Sequence, residues 1–243
     1  MSKFSIKRLS QDQKDLRRKI LEISHKAHYS HLGSCLSSID LIDAVYKHKR
    51  KDEIFVLSNG HAGIALYVVL EKHKILNIRD IESLNIHPDR NPNKGLHVST
   101  GSLGQGLPVA LGMALSDRKK TVYCMISDGE CAEGSIWEAF RIASDLELEN
   151  LAILVNANGW GAYDSINTQK LLKRIKAFGL QMVTIDGHDK SLLSKSLKVK
   201  RRKLPLVIFA KTTGDQFPFL KGQDAHYYTM TDDDFDLAMK LLQ

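Results

Sequence analysis

Residues 122–140 read VYCMISDGECAEGSIWEAF. The apolar run at 122–126 stops at Ser127-Asp128-Gly129, and a segment with Ile136, Phe140 and Ala143 on one helical face follows. A short, unbroken apolar run bounded by a turn signal is the pattern of a strand buried on both faces. The aspartate and glycine at its end admit two readings. One is a turn leading into a helix, with Glu133 favouring the helix amino terminus through the dipole. The other is an oxygen ligand beside a glycine that lets a phosphate approach the backbone.

Outward from this stretch, runs at 121–126, 151–155, 181–185 and 206–210 are strand-like. Helical spacing occupies 10–28, 37–48, 61–74, 104–115 and 135–145. Ser10 is placed to cap the first helix, whose Leu16, Ile20 and Ile23 share a face. Strands separated by helices predict βαβ units, hence an α/β fold with a parallel sheet and helices on both faces. No repeat, low-complexity tract or long Pro/Gly linker divides the chain, so residues 1–243 read as a single domain. Residues 212–228 have no clear period and read as a loop carrying one histidine.

Composition bounds the function. With 243 residues, 43% apolar and 26% charged, the chain has the make-up of a soluble globular protein with a sizeable core. Its apolar runs fall short of the roughly 18–20 residues that span a bilayer, so no membrane role is expected. The amino-terminal MSKFSIKRLSQDQKDLRRK has no apolar stretch of signal-peptide type, which predicts a cytoplasmic protein. Cys35, Cys124 and Cys131 are scattered without CxxC spacing and read as reduced thiols. Much of the net charge of +7 sits in the first helix and in KSLKVKRRK at 195–203. That run has no interleaved aromatics or glycines, so it reads as a solvated helix end and not as a nucleic-acid surface. An acidic partner or a phosphorylated substrate drawn in electrostatically is the other reading.

Ligands of open parallel sheets sit beyond the carboxyl ends of the strands. Asp128 ends one strand and Asn156-Ala157-Asn158-Gly159 ends the next; the 28 residues at 130–157 suffice for one βαβ crossover. The crossover rule puts their parallel strands side by side or one apart, an arrangement in which Asp128 and Asn158 can approach each other. A carboxylate and an amide oxygen form a hard donor set suited to Mg²⁺ or Ca²⁺, with phosphate oxygens completing the shell.

Ser127-Asp128-Gly129 followed by Asn158 resembles the thiamine-diphosphate motif, which begins Gly-Asp-Gly and ends in Asn. FVLSNGHA at 55–62, HPD at 87–89, STGSLGQGL at 99–107 and SDGECAEGSIWEA at 127–139 resemble transketolases in particular, in the same order along nearly the whole chain. The resemblance implies the diphosphate-binding half of a transketolase, with thiamine diphosphate and Mg²⁺ (or Ca²⁺) as cofactors. On it, Asp128, the Asn158 side chain and the Trp160 carbonyl hold the metal, and Gly129 lies at the diphosphate. His61 lies near the diphosphate or the reactive ring, Gly101 and Leu103 flank the aminopyrimidine, and Glu133 meets a partner at the subunit contact. His31, His87 and His226 surround the sugar and move protons, a task imidazole suits because its ordinary pKa lies near neutrality.

The pattern departs from the family at Ser127 for glycine, Leu32 for proline in a Ser-Gly-His-Pro-Gly segment, and Ser102 for proline. His188, in DGHD, matches a family segment without a role. The family's pyrimidine and C-terminal domains have no counterpart in 1–243. The resemblance thus implies a split enzyme: an N-terminal subunit that transfers a two-carbon ketol unit between phosphorylated sugars only with a C-terminal partner, as an α2β2 assembly. The alternatives are a specialised thiamine-dependent transferase or synthase acting on an unusual sugar or keto acid, and a non-catalytic binding or regulatory relative.

Overall fold

Five short apolar segments form one parallel sheet in the computed structural model, which describes residues 4–243. Residues 1–3 of the single domain read from the sequence lie outside the described residues. The strands are β1 (Ile54–Leu57), β2 (Val122–Ser127), β3 (Leu151–Ala157), β4 (Gln181–Asp186) and β5 (Leu206–Lys211), in the spatial order β1-β2-β3-β5-β4. β2 and β3 are buried along their whole length, as strands covered on both faces must be. Four of the strands match the apolar runs. β1 does not stand out in the sequence, because a four-residue edge strand is too short to show a period.

The connections are helical: α1 (Gln11–Lys26), α2 (Leu32–His48), α3 (Gly63–Lys72), α4 (Ile78–Glu82), α5 (Gly106–Ser116), α6 (Gly134–Asp145), α7 (Thr168–Lys176), α8 (Lys190–Leu197), α9 (Asp224–Tyr227) and α10 (Asp232–Leu241). Ser10 caps α1 as expected: its hydroxyl accepts the Gln13 N–H, and the Gln13 side chain reaches back to the Ser10 N–H. Alternate strand residues feed two apolar layers. Tyr123, Met125 and Leu154 pack with α1, α2, α3 and α8, while Cys124, Ile126 and Ile153 pack with α5, α6 and α7. The three cysteines are buried and unbridged.

Two local readings change. Residues 212–228 are not wholly loop, because α9 lies among them and carries His226. The basic run at 195–203 is not one helix end: α8 stops at Leu197, and Arg201 folds back half-buried over the Tyr123 ring. Among the described residues, no helix is long and apolar enough to cross a membrane.

Register places the functional ends. Ser127 of β2 pairs with Asn156 of β3, and the Asp128 N–H donates to the Asn156 carbonyl at 3.1 Å. Asp128 and Asn158 therefore leave the sheet side by side.

Candidate active site

Three neighbouring strand ends build one face of the site. β1 runs into Ser58-Asn59-Gly60-His61, β2 into Asp128 and β3 into Asn158. The loop bearing Thr100 and Gly101 lies directly on the β1 turn, where a Cβ on Gly60 would stand 2.5 Å from the Thr100 carbonyl carbon. No side chain fits between these backbones, so Gly60 is required for the close approach.

Asp128 is 2% exposed. Its Oδ1 accepts the Gly129 N–H at 3.1 Å and its Oδ2 accepts the Gly159 N–H at 2.7 Å. Burial pushes the carboxyl up to about 7, with the Gly159 N–H pulling the other way. Among the described residues no lysine or arginine pairs with it. Asn158 Oδ1 accepts the Trp160 N–H at 2.9 Å, and the Asn158 amide donates to Ser37 Oγ at 3.4 Å. The Trp160 carbonyl oxygen stands 3.8 Å from where a Gly129 Cβ would be. A buried carboxylate without a cation partner, beside an amide oxygen and a main-chain carbonyl, fits a hard divalent ion. Among the described residues no three His, Cys, Asp or Glu side chains gather as a metal group. The expected set needs only one of those residue types.

The histidines close the opposite side. His31 caps α2 in the left-handed region at φ +63°, and its N–H donates to the His226 carbonyl at 3.0 Å. That strained backbone aims its ring at three others, with centroid separations of 4.8 Å to His226, 5.6 Å to His61 and 5.8 Å to His87. His61 and His226 are 5.1 Å apart, and Ser34 Oγ lies 3.3 Å from His226 Nδ1. Burial first, and then the neighbouring imidazoles, push His31 down to about 4 and His61 to about 3. Burial also lowers His226. These three rings are thus neutral at pH 7, each with one N–H and one lone pair. Of the histidines expected to titrate near neutrality, His31 lies well below that range. The arrangement suits hydrogen bonding to hydroxyl and carbonyl groups.

Gly101 packs against His87, whose Cδ2 lies 3.1 Å from where its Cβ would stand, and Leu103 is half-exposed in the same loop. Glu133 is the amino-cap residue of α6, but its side chain makes no capping bond and is exposed.

Glu130, which the motif reading does not single out, is the carboxylate that ties the loops together. Its Oε1 accepts Ser58 Oγ at 2.6 Å and the Gly104 N–H at 3.0 Å, and its Oε2 accepts the Ser127 N–H at 3.0 Å. Asn156 likewise donates to Ser37 and Ser38, both at 3.0 Å, which fixes α2 to the end of β3. Six buried side-chain polar atoms lack a partner among the described residues, and four belong to this edge: His31 Nδ1, both amide atoms of Asn59, and Thr100 Oγ1. Buried polar groups are rarely left unpaired, so this edge is built to receive a polar ligand. A cavity of about 770 Å³ at the ends of β4 and β5 includes none of these residues.

The family model described as "Transketolase, thiamine diphosphate binding domain" matches residues 12–242. A transketolase of Pongo abelii is 35% identical over 224 residues, covering 81% of this chain and 36% of that protein. The chain thus spans about a third of the length of the full transketolases it matches. A protein of Actinobacillus succinogenes, named as one subunit of an apulose-4-phosphate transketolase, is 29% identical over 99% of this chain and 98% of its own. The crystal structure of a Campylobacter jejuni transketolase superposes with a TM-score of 0.85 at 24% identity, covering 96% of this chain and 42% of that one, a likeness of fold.

Proposed function

Since the chain belongs to the transketolase family through its thiamine-diphosphate-binding domain, we propose that it is the N-terminal subunit of a split transketolase. With a C-terminal partner carrying the pyrimidine domain, it transfers a two-carbon ketol unit between phosphorylated sugars. The observation that carries this reading is the meeting of Asp128 and Asn158 at one sheet edge with four clustered histidines. The match to a relative that is itself named as one subunit, along nearly the full length of both chains, supports the division into two polypeptides.

Asp128, Asn158 and the Trp160 carbonyl would hold a divalent ion, Mg²⁺ or Ca²⁺, against the cofactor's diphosphate. Gly129 leaves room for the phosphate beside them. When bound, thiamine diphosphate supplies a nucleophilic carbon that accepts the ketol unit. The protein's own contribution is placement and hydrogen bonding. His61, with Asn59 and Thr100 as unpaired neighbours, faces the cofactor, while Gly101 and Leu103 line its ring. His31, His87 and His226 hold the sugar hydroxyl and carbonyl oxygens. A neutral ring can take a proton on its free nitrogen while giving one from the other, so His31 and His226 can pass protons without carrying a standing charge. The exposed Glu133 stands at the edge where the partner subunit docks, and two copies of each subunit complete an α2β2 enzyme.

The test is co-purification with the partner and a ketol-transfer assay with thiamine diphosphate and Mg²⁺. Apulose 4-phosphate chemistry is one donor–acceptor class to include, given that relative's name. Activity that needs both chains supports the proposal. A pair that binds no cofactor by calorimetry overturns it.

A further inference from the structure

The opposite edge of the sheet carries the chain's positive charge. Segments 49–53, 117–121, 145–149 and 198–203 lie at the amino ends of the strands and contain 11 Lys and Arg against six Asp and Glu. Most of the net charge of +7 is therefore gathered there. Four of these side chains, Arg50, Arg118, Lys198 and Arg201, line one open cleft of about 660 Å³, together with His48 and the carboxylates of Glu53 and Glu149.

Most of these cations are not neutralised by the acids beside them. Arg201 is half-buried, with its guanidinium 5.8 Å from the Tyr123 centroid. It donates to the Glu149 main-chain carbonyl at 2.9 Å and to Thr121 Oγ1 at 3.4 Å, with the Tyr123 side chain and the Glu53 and Glu149 carboxylates nearby favouring its charge. Arg118 donates only to the Leu146 carbonyl, at 3.2 Å from each terminal nitrogen. Among the described residues neither these two nor Lys198 forms an ion pair, whereas Arg50 pairs with Asp52 and Glu53 at 3.4 Å. A half-buried guanidinium that forms no ion pair keeps donor capacity that an anion entering the cleft can take up.

We propose that this cleft binds a small anion carrying two or more phosphate groups, at a site separate from the catalytic edge. Arg118 and Arg201 offer forked donors to phosphate oxygens, and Lys198 adds a point charge. The cleft volume falls in the range of small-molecule sites. The flanking acids Asp52, Asp117, Asp145 and Glu147 confine the positive field to the cleft, and among the described residues no exposed Phe, Tyr or Trp lies beside it for a base to stack on. Both features favour a small ligand over a nucleic-acid strand. β2 runs from Val122 at the cleft to Ser127 beside Asp128, so the two sites are roughly 20 Å apart.

Inorganic triphosphate titrated calorimetrically into the full chain, at low salt and without Mg²⁺, tests this. The expected result is one binding event, weakened tenfold or more by Arg118→Gln and by Lys198→Gln, and unchanged by Asp128→Asn. No measurable binding overturns the site. So does affinity that survives both cleft substitutions, or affinity lost in Asp128→Asn, which assigns the heat to the cofactor edge. Tighter binding of an RNA or DNA duplex that depends equally on Lys119, Lys200 and Arg202 overturns the small-ligand assignment.

Discussion

Asp128 Oδ2 accepts the Gly159 N–H from the neighbouring strand end at 2.7 Å, so the carboxylate is clamped between two loops before any metal arrives. A clamped, buried, unpaired carboxylate carries a desolvation penalty in the cation-free chain, and a divalent ion relieves it. Asp128→Asn keeps the shape and removes the charge. We expect Mg²⁺-dependent affinity for thiamine diphosphate, measured by calorimetry on the two-subunit complex, to fall at least 100-fold, with the circular dichroism spectrum unchanged. Retained affinity would make Asp128 a turn residue and nothing more.

The histidine cluster predicts a direction for pH. His31 and His61 sit near 4 and 3 in the fold, against the usual 6.5 when unfolded. The unfolded chain thus binds more protons in that window, and stability contributed by the neutral rings is lost as pH falls from about 6.5 toward 4. His61→Asn should flatten this fall. The check is the difference in urea midpoint between wild type and variant at pH 7.5 and pH 5.0. Midpoints that shift in parallel would show that His61 does not titrate in this way.

The strands that carry the site were readable because β2, β3 and β5 are buried on both faces and so read as unbroken apolar runs. The approach of Asp128 to the Asn158 loop was one of the arrangements that a crossover between their strands allows, and the β2–β3 pairing selects it. What stayed hidden depends on contacts between distant residues. Glu130 looks like one more acid between Asp128 and Glu133, and only the arrival of Ser58 and Gly104 gives it a role. Asn59 and Thr100 are ordinary polar residues until burial leaves them unpartnered. The lowering of His31, His61 and His226 comes first from burial, which the residue type alone does not show.

Glu130→Ala should separate loop organisation from chemistry. It leaves Ser58 Oγ and the N–H groups of Gly104 and Ser127 without their acceptor in a buried place. Each orphaned donor costs about 1–3 kcal/mol. With three donors orphaned, we expect a loss of at least about 3 kcal/mol in denaturant unfolding and weaker cofactor binding, with Glu130→Gln intermediate because it keeps one oxygen. Full stability in Glu130→Ala would show that water replaces the carboxylate.

A buried polar network holds α2, and with it His31, in place. Arg17, fully buried, donates to Asp40 through Nη2 at 2.6 Å and Nη1 at 3.1 Å, and through Nε to Gln216 at 2.7 Å. His188 Nδ1 lies 2.8 Å from the same carboxylate, and its Nε2 accepts the Thr213 N–H at 3.2 Å. Burial pushes Asp40 up, but Arg17 and His188 together hold it well below the usual carboxylate range. The group joins α1 and α2 to the loops after β4 and β5, and gives the His188 of DGHD a structural place. Arg17→Met strands a buried charge, which costs about 3–5 kcal/mol, whereas replacing both charges in Arg17→Met/Asp40→Leu leaves no charge unpaired and strips only the neutral groups of Gln13, His188 and Gln216 of a partner. Urea unfolding should therefore find the double variant more stable than either Arg17→Met or Asp40→Leu alone. Additive losses would mean that the two side chains act independently, and the network would not be the unit that braces α2.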